Sequence, residues 1–126
     1  MWKKIGVLSL SIVSGVVYAG DRLSGDELQE FYSGKTLFVV HHKNGPTRSY
    51  FSSDGSLRSL SDSGKERVGR WWIDEDKDLR CVRWNNKNKD FCHYTEKNTD
   101  GTHTLIHRGN GKRLVEIKST KDGDHL

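Results

Sequence analysis

Cysteine and proline are both scarce: two of the first, Cys81 and Cys92, and one of the second, Pro46, in 126 residues. There is no Cys-x-x-Cys spacing, and two cysteines do not make a four-ligand zinc site without nearby histidine. There is no block of five or six like charges, and so no basic stripe of the kind that follows a nucleic-acid backbone. There is no Gly-x-Ser-x-Gly elbow to present a nucleophilic serine. Only one stretch has helical periodicity, which excludes a parallel sheet built from βαβ units. No internal repeat or low-complexity segment interrupts the chain. The length allows one small domain and excludes a multidomain enzyme. Beyond its first twenty residues the chain, 30% charged and 33% hydrophobic, is too polar for a membrane-embedded protein, yet apolar enough to fold.

What is present begins with a targeting pattern. Residues 1–19 hold no acidic side chain; Lys3 and Lys4 lead into a 13-residue apolar run, 5–17, and Val17-Tyr18-Ala19 supplies the small-x-small pattern that signal peptidase reads. The run is short for a membrane span. No cysteine follows it, which argues against a lipid anchor. The expectation is a signal peptide over 1–19, cleavage after Ala19, and a single β domain over 20–118 with a polar C-terminal tail over 119–126. The product would be periplasmic or secreted, with no stable membrane anchor after cleavage. Losing Lys3 and Lys4 leaves 19 basic against 17 acidic residues, so the sequence pI of about 9.1 overstates any case for nucleic acid. Arg70, Arg80, Arg83, Lys87 and Lys89 are interleaved with Asp and Asn and read as a solvated face.

Two cysteines in an exported chain read as one disulfide. Asn85 to Lys89 form a polar break between residues 79–84 and 90–95, which suits a hairpin. If Trp84 opposes Lys89, Cys81 opposes Cys92 in a non-hydrogen-bonded pair, where side chains lie close.

Ser24-Gly25-Asp26-Glu27 matches a capping box, with Leu28, Phe31 and Tyr32 along one helical face and Gly34 at the expected end. From Lys35 onward eight short strands are predicted: 36–43, 48–53, 56–60, 66–73, 79–84, 90–95, 102–107 and 112–118, separated by turn residues. The expected fold is all-β with one short N-terminal helix. Its strands form an antiparallel meander of about eight, closed into a small lipocalin-like barrel, since closure removes the edges. An open twisted sheet or a sandwich is the alternative. The inward face is not readable, because Val68, Trp71, Trp72 and Ile73, and again Leu79, Cys81, Val82 and Trp84, put apolar groups on both faces.

The candidate chemistry is thin. His103 and His107 share a strand face but lie about 13 Å apart along it, too far for one metal ion. His41 and His42 point to opposite faces. A cross-strand approach of His93 to His103 or His107 remains open. The serines at 52, 53, 59, 61 and 63 lie in turn-like polar stretches. Asp54 precedes Gly55 and reads as a turn residue. Glu66 and Glu116 sit mid-strand as a conceivable carboxylate pair. No catalytic residue, metal site or cofactor is expected. The aromatic residues Phe38, Tyr50, Phe51, Trp71, Trp72 and Trp84 are the better functional material, with Trp71, Trp72, Trp84 and Tyr50 as candidate ligand-binding residues. Trp71 and Trp72 are adjacent on a strand, so one of them must face outward.

Leu23-Ser24-Gly25-Asp26-Glu27-Leu28 with Gly34-Lys35-Thr36, then Tyr50-Phe51-Ser52-Ser53-Asp54-Gly55, Gly69-Arg70-Trp71, and Cys81-Val82-Arg83-Trp84 with Cys92 follow one another in order. This order resembles a family of small exported proteobacterial proteins of unknown function. The resemblance spans most of residues 23 to 92 and implies an exported β domain with a disulfide; it carries no catalytic residue.

The expected function is therefore a non-enzymatic, exported cell-envelope barrel that binds a small apolar ligand. The alternative is a protein-interaction module, such as an inhibitor or accessory factor of an exported enzyme. A cavity lined by Trp and Phe favours the first, and a filled barrel with an exposed Trp favours the second.

Overall fold

The structure, a computed structural model, describes residues 21–41, 43 and 45–126. The segment read as a signal peptide, together with Gly20, His42 and Asn44, lies outside the described residues. The elements are β1 (Asp21–Arg22), α1 (Gly25–Tyr32), β2 (Lys35–His41), β3 (Gly45–Phe51), β4 (Ser56–Ser61), β5 (Glu66–Asp74), β6 (Leu79–Trp84), β7 (Phe91–Lys97), β8 (His103–His107) and β9 (Arg113–Asp122).

Strands β2 to β9 pair with their chain neighbours throughout, all antiparallel. β9 then returns to β2, with Val115 opposite His41 and Asp122 opposite Lys35. The meander is thus a closed eight-stranded barrel. Closure follows from the edge problem: an open sheet of this length would expose two rows of unpaired backbone groups. One residual edge remains on β7, because β6 pairs only as far as Arg80 opposite His93. β1 fills it, placing Asp21 opposite Lys97 and Arg22 opposite Glu96.

The helix begins as its sequence dictates. The Ser24 side chain accepts from the Glu27 backbone N–H at 3.4 Å, and the Glu27 carboxylate accepts from the Ser24 N–H at 2.8 Å. The Ser24 backbone N–H, and then its hydroxyl, hold the Glu27 carboxyl below the usual range. The helix ends at Tyr32, with Ser33 as its cap, and the chain turns away at Gly34, whose φ of 73° suits glycine. The Gly25 N–H donates to the Asp78 carboxylate at 2.7 Å, seating α1 on the β5–β6 turn. Leu28 and Tyr32 are thereby driven into one end of the barrel, where both are fully buried. They meet Leu37, Phe51, Leu57 and Trp71 there in one core. The helix is the floor of the barrel.

Cys81 and Cys92 face each other in register and are bonded, with a Cα–Cα distance of 4.0 Å. The bond closes a 12-residue loop, for which the chain-entropy model gives about 3 kcal/mol. Converting both cysteines to alanine is expected to lower the urea unfolding free energy by roughly that amount; unchanged stability would mean the β6–β7 hairpin is held by its ladder alone.

The polar C-terminal segment is not a free tail. Residues 119–122 continue β9 past a bulge at Ile117 and Ser119, and residues 123–126 are tied back. The Gly123 N–H donates to the Gly34 carbonyl at 2.8 Å and the Thr36 hydroxyl to the Gly123 carbonyl at 2.6 Å. Arg48 reaches the His125 carbonyl, and Arg58 pairs with Asp124. The segment is polar because it satisfies the backbone of β2, the Thr36 hydroxyl and the guanidinium groups of Arg48 and Arg58.

Candidate functional site: the barrel cavity

Strand alternation resolves the face that was unreadable in the sequence. On β5, Arg67, Gly69, Trp71 and Ile73 point inward while Val68 and Trp72 point out. On β6, Arg80, Val82 and Trp84 point inward and Cys81 points out. At Gly69 a Cβ would lie 2.4 Å from the Arg83 carbonyl oxygen, so only glycine allows β5 and β6 to approach so closely. Trp71 closes the floor: its indole N–H donates to the Ser52 carbonyl at 2.8 Å, and its ring meets Phe51 edge-on at 5.6 Å.

Above that floor the barrel is not filled. A cavity of about 310 Å³ runs toward the opposite end and reaches the surface at the exposed Lys65. Its walls differ in character. Leu37, Val39, Val115, Ile117 and Leu105 make one apolar side, continued by Val82, Trp84 and Phe91, whereas β3 and β4 contribute the hydroxyls of Thr47, Ser49, Ser59 and Ser61. Ser49 and Ser59 bond each other at 3.0 Å rather than a base. Toward the mouth, the Arg67 guanidinium stacks on the Trp84 ring at 3.8 Å.

Of the four candidate binding residues, Trp84 lines the cavity. Trp71 lies beneath it in the core, 5% exposed. Trp72 stands on the outer face, 37% exposed, opposite Cys81. Tyr50 alternates with the inward Ser49 and Phe51 and so faces outward. Phe38 likewise alternates with the cavity-lining Leu37 and Val39.

The sequence pattern puts Arg80 on a solvated face; the structure puts it inside the barrel. It is 7% exposed, near the closed end, with its guanidinium 5.5 Å from the Tyr32 ring and 5.8 Å from that of Phe51. The reason is period-two alternation: Arg80 shares a face with Val82 and Trp84. Had the disulfide been used to assign Cys81 to the outer face, the sequence would have placed Arg80 inside. One guanidinium nitrogen lies 3.3 Å from His93 Nδ1. The Arg80 Nε, also buried, has no hydrogen-bond partner. Burial pushes the Arg80 guanidinium below its usual range and the Tyr32 hydroxyl partly offsets this; the group stays cationic at neutral pH. Burial raises the Tyr32 hydroxyl, against the pull of Arg80 and of its 2.8 Å bond to the Thr95 hydroxyl.

Among the histidines, His93 and His107 meet across β7 and β8, with ring centroids 6.3 Å apart. His103 stacks on Phe31 at 4.3 Å. Among the described residues no group of three His, Cys, Asp or Glu comes together as a metal site. Glu66 and Glu116 lie on different, non-adjacent strands, and Glu116 pairs with Lys118. Asp54 shapes its turn by accepting from the Ser56 N–H and hydroxyl, which hold its carboxyl below the usual range.

Burial, then the charges of Arg80, His107 and Arg108, lower His93 to about 4 from 6.5. The native ring is neutral where the unfolded ring takes up a proton. Its contribution is thus complete above about pH 6.5 and is lost as pH falls from there toward 4. Burial lowers His103 too, so it adds in the same direction. The urea midpoint is expected to be lower at pH 5 than at pH 7, and His93→Gln should narrow that difference. Equal wild-type midpoints at the two pH values would contradict the neutral, buried His93.

Fold and site together define the molecule as a closed eight-stranded antiparallel β-barrel with a helical floor and an interior cavity. No family model, curated protein or solved structure matches the chain.

Proposed function

We propose that this is a non-enzymatic, exported binding protein of the cell envelope, periplasmic or secreted, that takes a small apolar ligand into the barrel. The observation that carries the reading is the 310 Å³ cavity with its continuous apolar wall. That volume lies at the lower end of the range of ligand sites, about 300–1,000 Å³. At about 30 Å³ per water it holds roughly ten waters, or a ligand of about ten heavy atoms. The disulfide supports an oxidising compartment, in keeping with the targeting pattern of residues 1–19.

Titration of the oxidised domain with octan-1-ol tests the reading, followed by Trp emission, since Trp84 lines the cavity. A saturable change with one-to-one stoichiometry is expected. A flat titration with octan-1-ol and with acids of the same size would refute it. A second reading, a module that docks an exported partner protein, draws on one feature: Trp72 and Val68, 37% and 44% exposed, share the outer face of β5. Loss of a captured envelope protein on Trp72→Ser would favour it.

A further inference from the structure

We infer that the occupant of the cavity is an organic anion: an apolar chain or ring of about ten heavy atoms ending in one carboxylate, which is held by Arg80. The inference rests on the cavity being a binding site and specifies its ligand.

Charge is the first argument. The charged side chains that line the cavity are Lys65, Arg67 and Arg80, all cations; among the described residues no Asp or Glu lines it. Interior charges in folded proteins are normally paired, yet Arg80 belongs to none of the ion pairs of the described residues, which join Arg58 to Asp124, Arg83 to Asp90, Arg113 to Glu96 and Lys118 to Glu116. Its polar contact is with a histidine ring, and its guanidinium lies over the faces of Tyr32 and Phe51.

The second argument is the unmet donor. The Nε–H of Arg80 is buried and unpartnered in a side chain that lines the cavity. A guanidinium carries its five N–H donors in one plane, and a carboxylate can take two of them at once. An uncharged ligand would fill the apolar volume and leave that donor unsatisfied.

The third argument is the order of the groups along the cavity. Arg80 stands near the helical floor, level with Ile73 on β5. Trp84, Arg67 and Lys65 lie toward the mouth. The ligand therefore enters head first, drawn by the positive rim, with its apolar body left against Val82, Leu105, Val115 and Ile117.

The test compares ligands of equal size and different charge. Octanoate, 3-phenylpropanoate, octan-1-ol and octylammonium are titrated into wild type, Arg80→Met and Arg80→Lys, by calorimetry and Trp emission. Wild type is expected to bind at least one of the two acids about tenfold to a hundredfold more tightly than the alcohol, and to reject the amine. The acid preferred identifies chain or ring as the body. Arg80→Met should bring acid and alcohol to equal affinity; Arg80→Lys should retain part of the preference for acid. A carboxyl-13C octanoate resonance that shifts with wild type and not with Arg80→Met gives a second readout, independent of affinity. Equal binding of acid and alcohol by wild type would overturn the inference while leaving the cavity reading intact, and this arm does not depend on any variant folding. Unaltered acid preference in folded Arg80→Met would overturn it as well. Binding of none of the four would overturn both.

Discussion

Trp71→Ala is expected to lower the unfolding free energy by about 3–5 kcal/mol, the cost typical of truncating a large buried aromatic. Trp71 is 5% exposed and is the piece against which the helix and the barrel meet. Its ring contacts Phe51 at 5.6 Å and Tyr32 at 6.4 Å, and its indole N–H ties the floor to the Ser52 carbonyl. The site has little means of collapsing around the loss. On one side the helix is pinned by the Asp78 bond to Gly25; on the other, Gly55 and its tight turn accept the Trp71 backbone N–H. Urea unfolding with an unchanged slope would register the loss as stability alone. A cost below about 1 kcal/mol would mean the floor is not built on this ring.

Arg80→Met is expected to act in the opposite direction. A buried cation without a counter-charge is a cost to the fold, and replacing buried charged groups with apolar ones of similar volume is often neutral or stabilising by about 1–4 kcal/mol. Methionine keeps the stem packing and removes the charge and the unsatisfied Nε. The ligand-free variant should therefore unfold at higher urea than wild type. Saturating carboxylate should then raise the wild-type midpoint and leave that of the variant in place, since a ligand stabilises only the state that binds it. A ligand-free variant less stable than wild type would show that Arg80 is adequately satisfied in the empty barrel and is not held in reserve for an anion.

The parts of this architecture that sequence reveals are those written in short-range chemistry. The capping box at Ser24 and Glu27, the Asp54-Gly55 turn and the β6–β7 register follow from local rules, because a cap, a turn or a cross-strand cysteine pair needs only a few residues to specify it. The barrel follows from strand spacing and the need to cover edges. The inward face does not follow, for a physical reason. A barrel that keeps a cavity does not need a uniformly apolar interior, so Arg80, His93, Ser49 and Ser59 stand inside while Trp72, Val68 and Cys81 stand outside. Period-two alternation sets the inward face of β5 and β6, and β9 departs from it at its bulges, but polarity no longer reports which phase faces the cavity. Arg80 is the residue most obscured by this, as its charge placed it with the solvated arginines. The bound C-terminal segment was hidden similarly: its polar composition suits solvent and hydrogen bonding to β2 equally well.

The most direct test is calorimetric titration of octan-1-ol and octanoate into the oxidised, ligand-free protein, with the same titrations on Ser59→Phe, which places a ring in the cavity. Saturable one-to-one binding by wild type, tighter for the acid and lost for both ligands in the folded Ser59→Phe variant, is the expected result. Binding that survives the filled cavity, or the absence of binding to wild type, would contradict the account of this barrel as a container for a small organic acid.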